Sequence, residues 1–424
     1  MKYFCIGWVL VALQVYLTFN GVQHFEKYWS PVILFIVSIS TAWVYLRVLL
    51  REKSMLPTTV IALAPRWQKA LGALVGMVSV GLCYEELRKA FVRYVPHDYS
   101  DVLPQIEMLY ARFSTGVFPY SPVPMGNYSP YPVYMPLHWL PVGLPAAFGV
   151  DVRWVGFGLL VLAAGLYGWL SVWGDQPLWR QLAALVLPSL SLWGYILWGE
   201  MDLPVSLESV IAAYYLVLAV GLVSRRIGWV TAGIILCLLS RYTLVFWLPL
   251  FALLLWQNLP RRQNLVLWAT VAASVFLVYV LPFYAQDPSI LTKGVAYHNL
   301  AAVDEWRGYG DPPVSWTMER GVHFAAHLKE VLPGDARQQV LGARVVQALA
   351  MLSLLLMGWL GYRRWRNRIN FNDFSLLMLY LFILFFYFFG PLTYRYYLIV
   401  LHTLAAVLCG QIIVRSGRLP RIES

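Results

Sequence analysis

Residues 228–257 read GWVTAGIILCLLSRYTLVFWLPLFALLLWQ, an apolar run longer than the roughly 17–25 residues that one membrane helix needs. Ser240-Arg241-Tyr242 interrupts it. One reading is a single span that buries an arginine; the other is two shorter helices meeting at a turn. The charges elsewhere in the chain decide between them, because short cytoplasmic loops collect Lys and Arg.

Outward from that stretch, apolar runs lie near 3–20, 31–50, 70–87, 154–173, 179–198, 204–222, 264–284, 343–361, 373–390 and 396–414. Splitting the run at Arg241 gives about twelve spans. With both termini inside, one side then carries Arg47, Arg51, Lys53, Arg66 and Lys69; Arg180; Arg225 and Arg226; Arg261 and Arg262; Arg363, Arg364, Arg366 and Arg368; and Arg415, Arg418 and Arg421. Without the split the parity inverts, and the later clusters fall outside. The split is therefore preferred.

Composition agrees with an all-α polytopic membrane protein. The 424 residues are 60% hydrophobic and 12% charged, with a mean hydropathy of +0.62, whereas soluble domains carry about 25% charge. The net charge of +11 sits in short clusters between apolar runs, which excludes a nucleic-acid partner and implies membrane lipids. Cys5, Cys83, Cys237 and Cys409 lie inside apolar runs without metal-ligand spacing, so they read as packing residues. The first run ends in TFNGVQHF without a small-x-small cleavage site, so an uncleaved anchor is expected.

Four regions follow: 1–69, two N-terminal spans and a basic loop; 70–284, a core with a long external segment 88–153; 285–342, a second external segment; and 343–424, the C-terminal spans and basic tail. Polar groups gather on the external side, and long loops of a compact protein are usually functional. Leu103, Ile106, Leu109, Tyr110 and Phe113 recur at helical spacing, opposite Gln105, Glu107 and Arg112. They predict an amphipathic helix suited to the membrane surface. The Pro- and Tyr-rich stretch after it cannot be a regular helix.

Candidate chemistry starts at His97-Asp98-Tyr99-Ser100-Asp101. A carboxylate held against a hydroxyl serves as a general base, though Asp101 before VLPQIE equally suits a helix N-cap. Arg241 inside an apolar run and Arg395 at the external start of the last span have guanidinium forks that fit a phosphate; snorkelling, or pairing with Glu200 or Asp202, is the alternative. Glu200 and Asp202 form an E-x-D turn that offers hard oxygens to Mg²⁺ or Mn²⁺, and helix capping accounts for it as well. His323 and His327 have helical spacing, but Phe324-Ala325 replaces the Glu of a zinc helix. His97, His138 and His298 face the same side, where each could bind sugar or phosphate or simply satisfy a backbone group. No P-loop, Rossmann fingerprint, nucleophile elbow or kinase set is present.

Asp101, Glu107 six residues on and Gly116 nine further, followed by Pro119-Tyr120 and Tyr134-Met135-Pro136-Leu137, resemble the first external loop of GT-C integral-membrane glycosyltransferases. The likeness is to glycosyltransferase family 87, the DUF2029-type polyprenol-phosphate-dependent mannosyltransferases. Gly199-Glu200-Met201-Asp202 after the fifth span, and a basic residue in the split run, are similar too. The resemblance covers about 70–414; residues 3–50 have no counterpart in it, and Arg241 stands where the family often has Lys.

The resemblance implies a GT-C-like fold and an inverting transfer of a hexose, mannose by family, from a polyprenyl-phosphate sugar donor to a glycolipid or glycan acceptor outside the cytoplasm. Asp101 would be the base, with Asp98 the competing assignment, and Arg241 and Arg395 would hold the donor phosphate. His97, Glu107, Tyr120, Tyr134, His138, Glu200, Asp202 and His298 would contact sugar or acceptor. No cofactor beyond a divalent cation is implied. Short loops and an uncleaved anchor point to a bacterial plasma membrane. The rival readings are a lipid-linked sugar flippase and a non-catalytic glycolipid-binding subunit.

Overall fold

The computed structural model describes residues 2–52, 64–94, 100–126, 128–172, 176–199 and 201–416. Apart from two isolated bridges, Met125 with Tyr128 and Tyr309 with Val314, the regular structure of these residues is helical. Eight helices are long and apolar enough to cross a membrane: Tyr3–Arg51, Arg66–Arg93, Trp154–Ser171, Leu178–Trp198, Arg261–Tyr284, Ala336–Trp365, Phe371–Phe388 and Arg395–Arg415. Three shorter apolar helices, Glu208–Ser224, Ile227–Leu238 and Leu248–Asn258, complete the bundle. The chain is an integral membrane protein.

The run quoted above breaks where its arginine lies. Ile227–Leu238 ends, Arg241 is extended (φ −156°, ψ 138°), a 3₁₀ turn covers Tyr242–Phe246, and Leu248–Asn258 starts with a proline in its first turn. In lipid every freed backbone group needs a partner. Leu137, in the long segment before Trp154–Ser171, supplies one: its N–H donates to the Leu239 carbonyl at 2.7 Å, and its carbonyl accepts from the Tyr214 hydroxyl at 3.1 Å. The broken helix and the first loop are thus one unit.

The first two runs form a helical hairpin bent at Glu26 (φ 56°, ψ 175°). Its arms are antiparallel, since Gln14 Nε2 donates to Thr41 Oγ1 at 2.6 Å. The Tyr380 hydroxyl donates to Gln14 Oε1 at 3.2 Å and to the Ser38 carbonyl at 3.1 Å, and Thr18 meets His402 at 3.1 Å. The N-terminal arms therefore belong to the core. Elsewhere small residues let backbones touch: a Cβ added at Gly76 would lie 2.3 Å from the Ala164 carbonyl oxygen, and one at Gly168 would lie 2.1 Å from that of Gly72.

Ionic clusters close the bundle at both ends. At one end Arg415 pairs with Asp373 (2.5 Å) and Glu52 (3.1 Å), and Arg225 reaches Asp373 at 3.4 Å. At the other, Arg241 pairs with Glu208 and Arg395 with Asp202 at 3.3 Å. Glu208–Ser224, Phe371–Phe388 and Arg395–Arg415 each run from one cluster to the other. The bundle thus carries one charged cluster at each end.

Two expectations need correction, on the amphipathic helix and on Cys5, and one holds, on the Pro- and Tyr-rich stretch. The amphipathic helix forms as Val102–Ser114, but Leu103, Ile106 and Leu109 pack into the protein core, Gln105 is buried beside them and Phe113 is exposed. Its apolar face meets protein, and Tyr110 lies so close to Gly143 that an added Cβ would fall 2.4 Å from the ring. The Pro- and Tyr-rich stretch is irregular up to Met135, then forms short helical turns at Pro136–Trp139 and Gly143–Ala147, where prolines occupy positions that need no N–H. Of the cysteines, Cys83, Cys237 and Cys409 are buried, while Cys5 is exposed on the outer surface of its helix.

Candidate functional site

Asp101 precedes the Val102–Ser114 helix, yet its side chain makes no capping bond. The neighbouring Ser100 hydroxyl accepts from the Val102 N–H at 3.1 Å instead. Burial pushes the Asp101 carboxyl above the ordinary aspartate range; its own backbone N–H and the Gln105 amide, both hydrogen-bonded to it, pull the other way. The surroundings are phenolic. Burial raises the hydroxyls of Tyr128, Tyr134 and Tyr297, and the Asp101 charge adds to each; it reaches Tyr309 and Tyr394 as well. A half-buried carboxylate among hydroxyls, free of a capping duty, fits a proton-accepting role.

Tyr134, which feels the Asp101 charge, lines a cleft of about 70 Å³ together with His138, Ser240, Arg241, Thr243, His298 and Arg344, several times the roughly 10–15 Å³ that one water needs. Tyr134, His138, Arg241 and His298, chosen from widely separated stretches, thus come together. The Arg241 side chain is 12% exposed and that of its partner Glu208 only 1%. Its guanidinium also donates to the Tyr387 hydroxyl at 3.3 Å and lies 4.3 Å from the Tyr397 ring centre. A charge in an apolar run is tolerable when so paired.

Both cleft histidines are neutral. Burial first, then the Arg241 charge, holds His138 well below its ordinary value; burial, Arg344 and Arg241 hold His298 down to about 4. Neutral imidazoles offer one donor and one acceptor each. Arg344 differs from Arg241: its hydrogen bond is to Gln347 Oε1 at 3.5 Å, its buried Nε has no partner, and among the described residues it forms no ion pair. Among the described residues the cleft therefore carries one positive charge without an ion-pair partner, on Arg344.

The remaining candidates lie elsewhere. Arg395 and Asp202 form a separate cluster joined by Arg320, 3.9 Å from Asp202. Burial pushes the Asp202 carboxyl up and the two arginines oppose it, so Asp202 is spent on guanidiniums rather than on a divalent cation. Tyr120 is buried, donates to the Tyr134 carbonyl at 2.9 Å and accepts from Trp139 Nε1 at 3.2 Å; it braces the wall behind the cleft. Glu107, six residues from Asp101, falls on a different helical face and is not among the cleft's lining residues. His97, Asp98 and Glu200 lie outside the described residues. His323 precedes the Ala325–Val331 helix that carries His327, so the two do not share a helical face. No group of three or more His, Cys, Asp or Glu suited to a metal occurs among the described residues.

Sequence reading missed Glu208 and Arg344. Both carried the signal, an ionisable residue inside an apolar run; Glu208 lies in the 204–222 run and Arg344 in the 343–361 run. No family model matches the chain, and no curated protein or solved structure shows significant similarity to it.

Proposed function

We propose that the chain is an inverting membrane glycosyltransferase with about twelve spans in a GT-C-like arrangement. It transfers a hexose, mannose by the family resemblance, from a polyprenyl-phosphate donor to a lipid-linked or glycan acceptor on the non-cytoplasmic face. The observation that carries this reading is the pairing of an uncapped, half-buried Asp101 with a cleft whose spare charge is cationic. Asp101 takes the proton of the acceptor hydroxyl as that oxygen attacks the anomeric carbon. The bond from that carbon to the phosphate oxygen breaks, and the leaving phosphate gains negative charge. Arg344, rather than Arg241 or Arg395, is the guanidinium free to stabilise it, because the other two are neutralised by Glu208 and Asp202. Such stabilisation of developing charge is a large catalytic contribution.

The test is transfer of labelled hexose from synthetic polyprenyl-phosphate hexoses to membrane acceptor lipids by the purified protein. Activity in wild type and its loss in Asp101→Asn, with the fold intact, support the reading. The helix broken at Arg241, with its buried ion pair, favours a second one, since transporters place broken helices and charges at substrate sites. A protein that moves lipid-linked sugar across vesicles without forming a glycosidic product is a flippase.

A further inference from the structure

A second cleft, of about 510 Å³, opens between the two external segments, lined by Phe118, Tyr120, Ser121, Tyr131, Gln286, Asp287 and Lys293 along with Pro122. That volume lies within the roughly 300–1,000 Å³ of small-molecule sites. Its walls are fixed from behind. Arg112 donates to the carbonyls of Pro119 (3.1 Å), Ser121 (2.6 Å) and Pro122 (2.8 Å). Tyr120 is held by Tyr134 and Trp139 as described, and its ring packs edge-on against Phe283 at 5.4 Å. The opposite wall follows the π-helix Phe276–Tyr284, a wide turn that often marks functional sites.

The chemistry of this cleft contrasts with that of the first. Asp287 and Lys293 pair at 2.9 Å, so the lining has no net charge. Ser289, through N–H (3.0 Å) and hydroxyl, also donates to Asp287, and these bonds with Lys293 hold its carboxyl down to about 2. Three of the roughly four acceptor positions of that carboxylate are used. Gln286 spends one N–H on the Pro282 carbonyl at 2.7 Å, and its side-chain oxygen accepts no bond from the described residues. Aromatic rings with mixed donors and acceptors, electrically neutral as a set, match a neutral polyhydroxyl ring, whose C–H face packs on an aromatic and whose hydroxyls both donate and accept.

We infer that the cleft between Tyr131 and Asp287–Lys293 is a saccharide-binding subsite, which receives a neutral sugar of the acceptor while Arg344 holds the anionic donor on the other side of the Tyr120–Tyr134 wall. This rests on the glycosyltransferase reading for its link to the reaction, but not for the binding itself. The test is saturation-transfer NMR on the full chain in nanodiscs, with methyl α-mannoside, methyl α-glucoside and their α-linked disaccharides as probes and glycerophosphocholine as competitor. The expected result is saturable binding through ring protons, weakened about tenfold or more by Asp287→Asn and Lys293→Ala, as loss of a charge-assisted hydrogen bond implies, and abolished by Tyr131→Ala. Arg344→Gln leaves it unchanged. Gln286→Ala and Lys293→Ala alter exposed side chains, so their effect does not depend on refolding at Tyr131. Absence of saturable binding, binding indifferent to all these variants, or displacement by glycerophosphocholine overturns the inference. Saccharide binding without glycosyl transfer removes only the enzymatic reading; transfer that is unaffected by Tyr131→Ala and Lys293→Ala removes only the subsite.

Discussion

Arg241 and Glu208, 33 positions apart in sequence, form a buried ion pair at the break of one helix and the start of another. Removing either partner strands a charge, which costs about 3–5 kcal/mol at buried sites. Glu208→Gln and Arg241→Gln each lower thermal stability in detergent on that scale, and the double variant Glu208→Leu with Arg241→Met recovers most of the loss. A double-mutant cycle with zero coupling would remove the pair from the account.

Asp101 and Ser100 divide the work at the Val102–Ser114 helix start. Asp101→Asn lowers glycosyl transfer by about 10²–10⁴-fold, the usual share of a general base, with unfolding temperature unchanged. Ser100→Ala costs about 0.5–2 kcal/mol, as loss of a cap does, and keeps the transfer rate. Parallel unfolding and turnover measurements on both variants check this; the reverse pattern would make Asp101 the cap.

Arg344 and Arg395 separate binding from stability. Arg344→Gln lowers kcat/KM for a polyprenyl-phosphate donor by roughly tenfold or more, since charged hydrogen bonds are worth about 1.5–3 kcal/mol. Arg395→Gln, which leaves the buried Asp202 with only the more distant Arg320 at 3.9 Å, lowers thermal stability and moves KM by less than about twofold. Steady-state kinetics against donor concentration decide it.

His298 ties stability to pH. Held down to about 4 in the folded chain, against about 6.5 when exposed, it takes its proton first in the unfolded state as pH falls. Its contribution is complete above about 6.5 and is lost between there and about 4. His323, pushed down to about 3 by burial, acts in the same direction. Unfolding temperature therefore falls across this window, and His298→Gln flattens part of the decline. A profile identical to wild type in that variant counts against a buried neutral imidazole.

The bundle was legible because bilayer crossing imposes length and polarity on every span, and because the parity of Arg and Lys clusters forced a break at Arg241. That Arg241 needed a partner was legible too. Which partner was not: Glu208, Asp202 and Glu200 all sit near external helix ends in the sequence, and only packing of Glu208–Ser224 against the broken run selects Glu208. The same limit applies to Asp101. Its sequence suits an N-cap, and only the local backbone hands that duty to Ser100. The role of residues 3–50 was hidden because Gln14, Thr18 and Thr41 read as incidental polar residues until Tyr380 and His402 are placed against them.

The helices tied to the charged clusters at both ends carry a mechanical consequence. Glu208–Ser224 and Arg395–Arg415 end in ion pairs on both sides, and Phe371–Phe388 holds Asp373 at one end and the Tyr387 hydroxyl, bonded to Arg241, at the other, so none slides along its axis without breaking one of these contacts, and the three act as fixed posts. Of the most apolar stretch of Arg261–Tyr284 and of Ala336–Trp365, only 17% and 28% is buried, and the two spans lead into the cleft walls at Gln286–Asp287 and at Arg344. Under the proposed transfer reaction, an opening that admits a lipid donor falls to these two outer spans moving against the posts, and crosslinking either of them to a post is expected to stall turnover while leaving both clefts assembled.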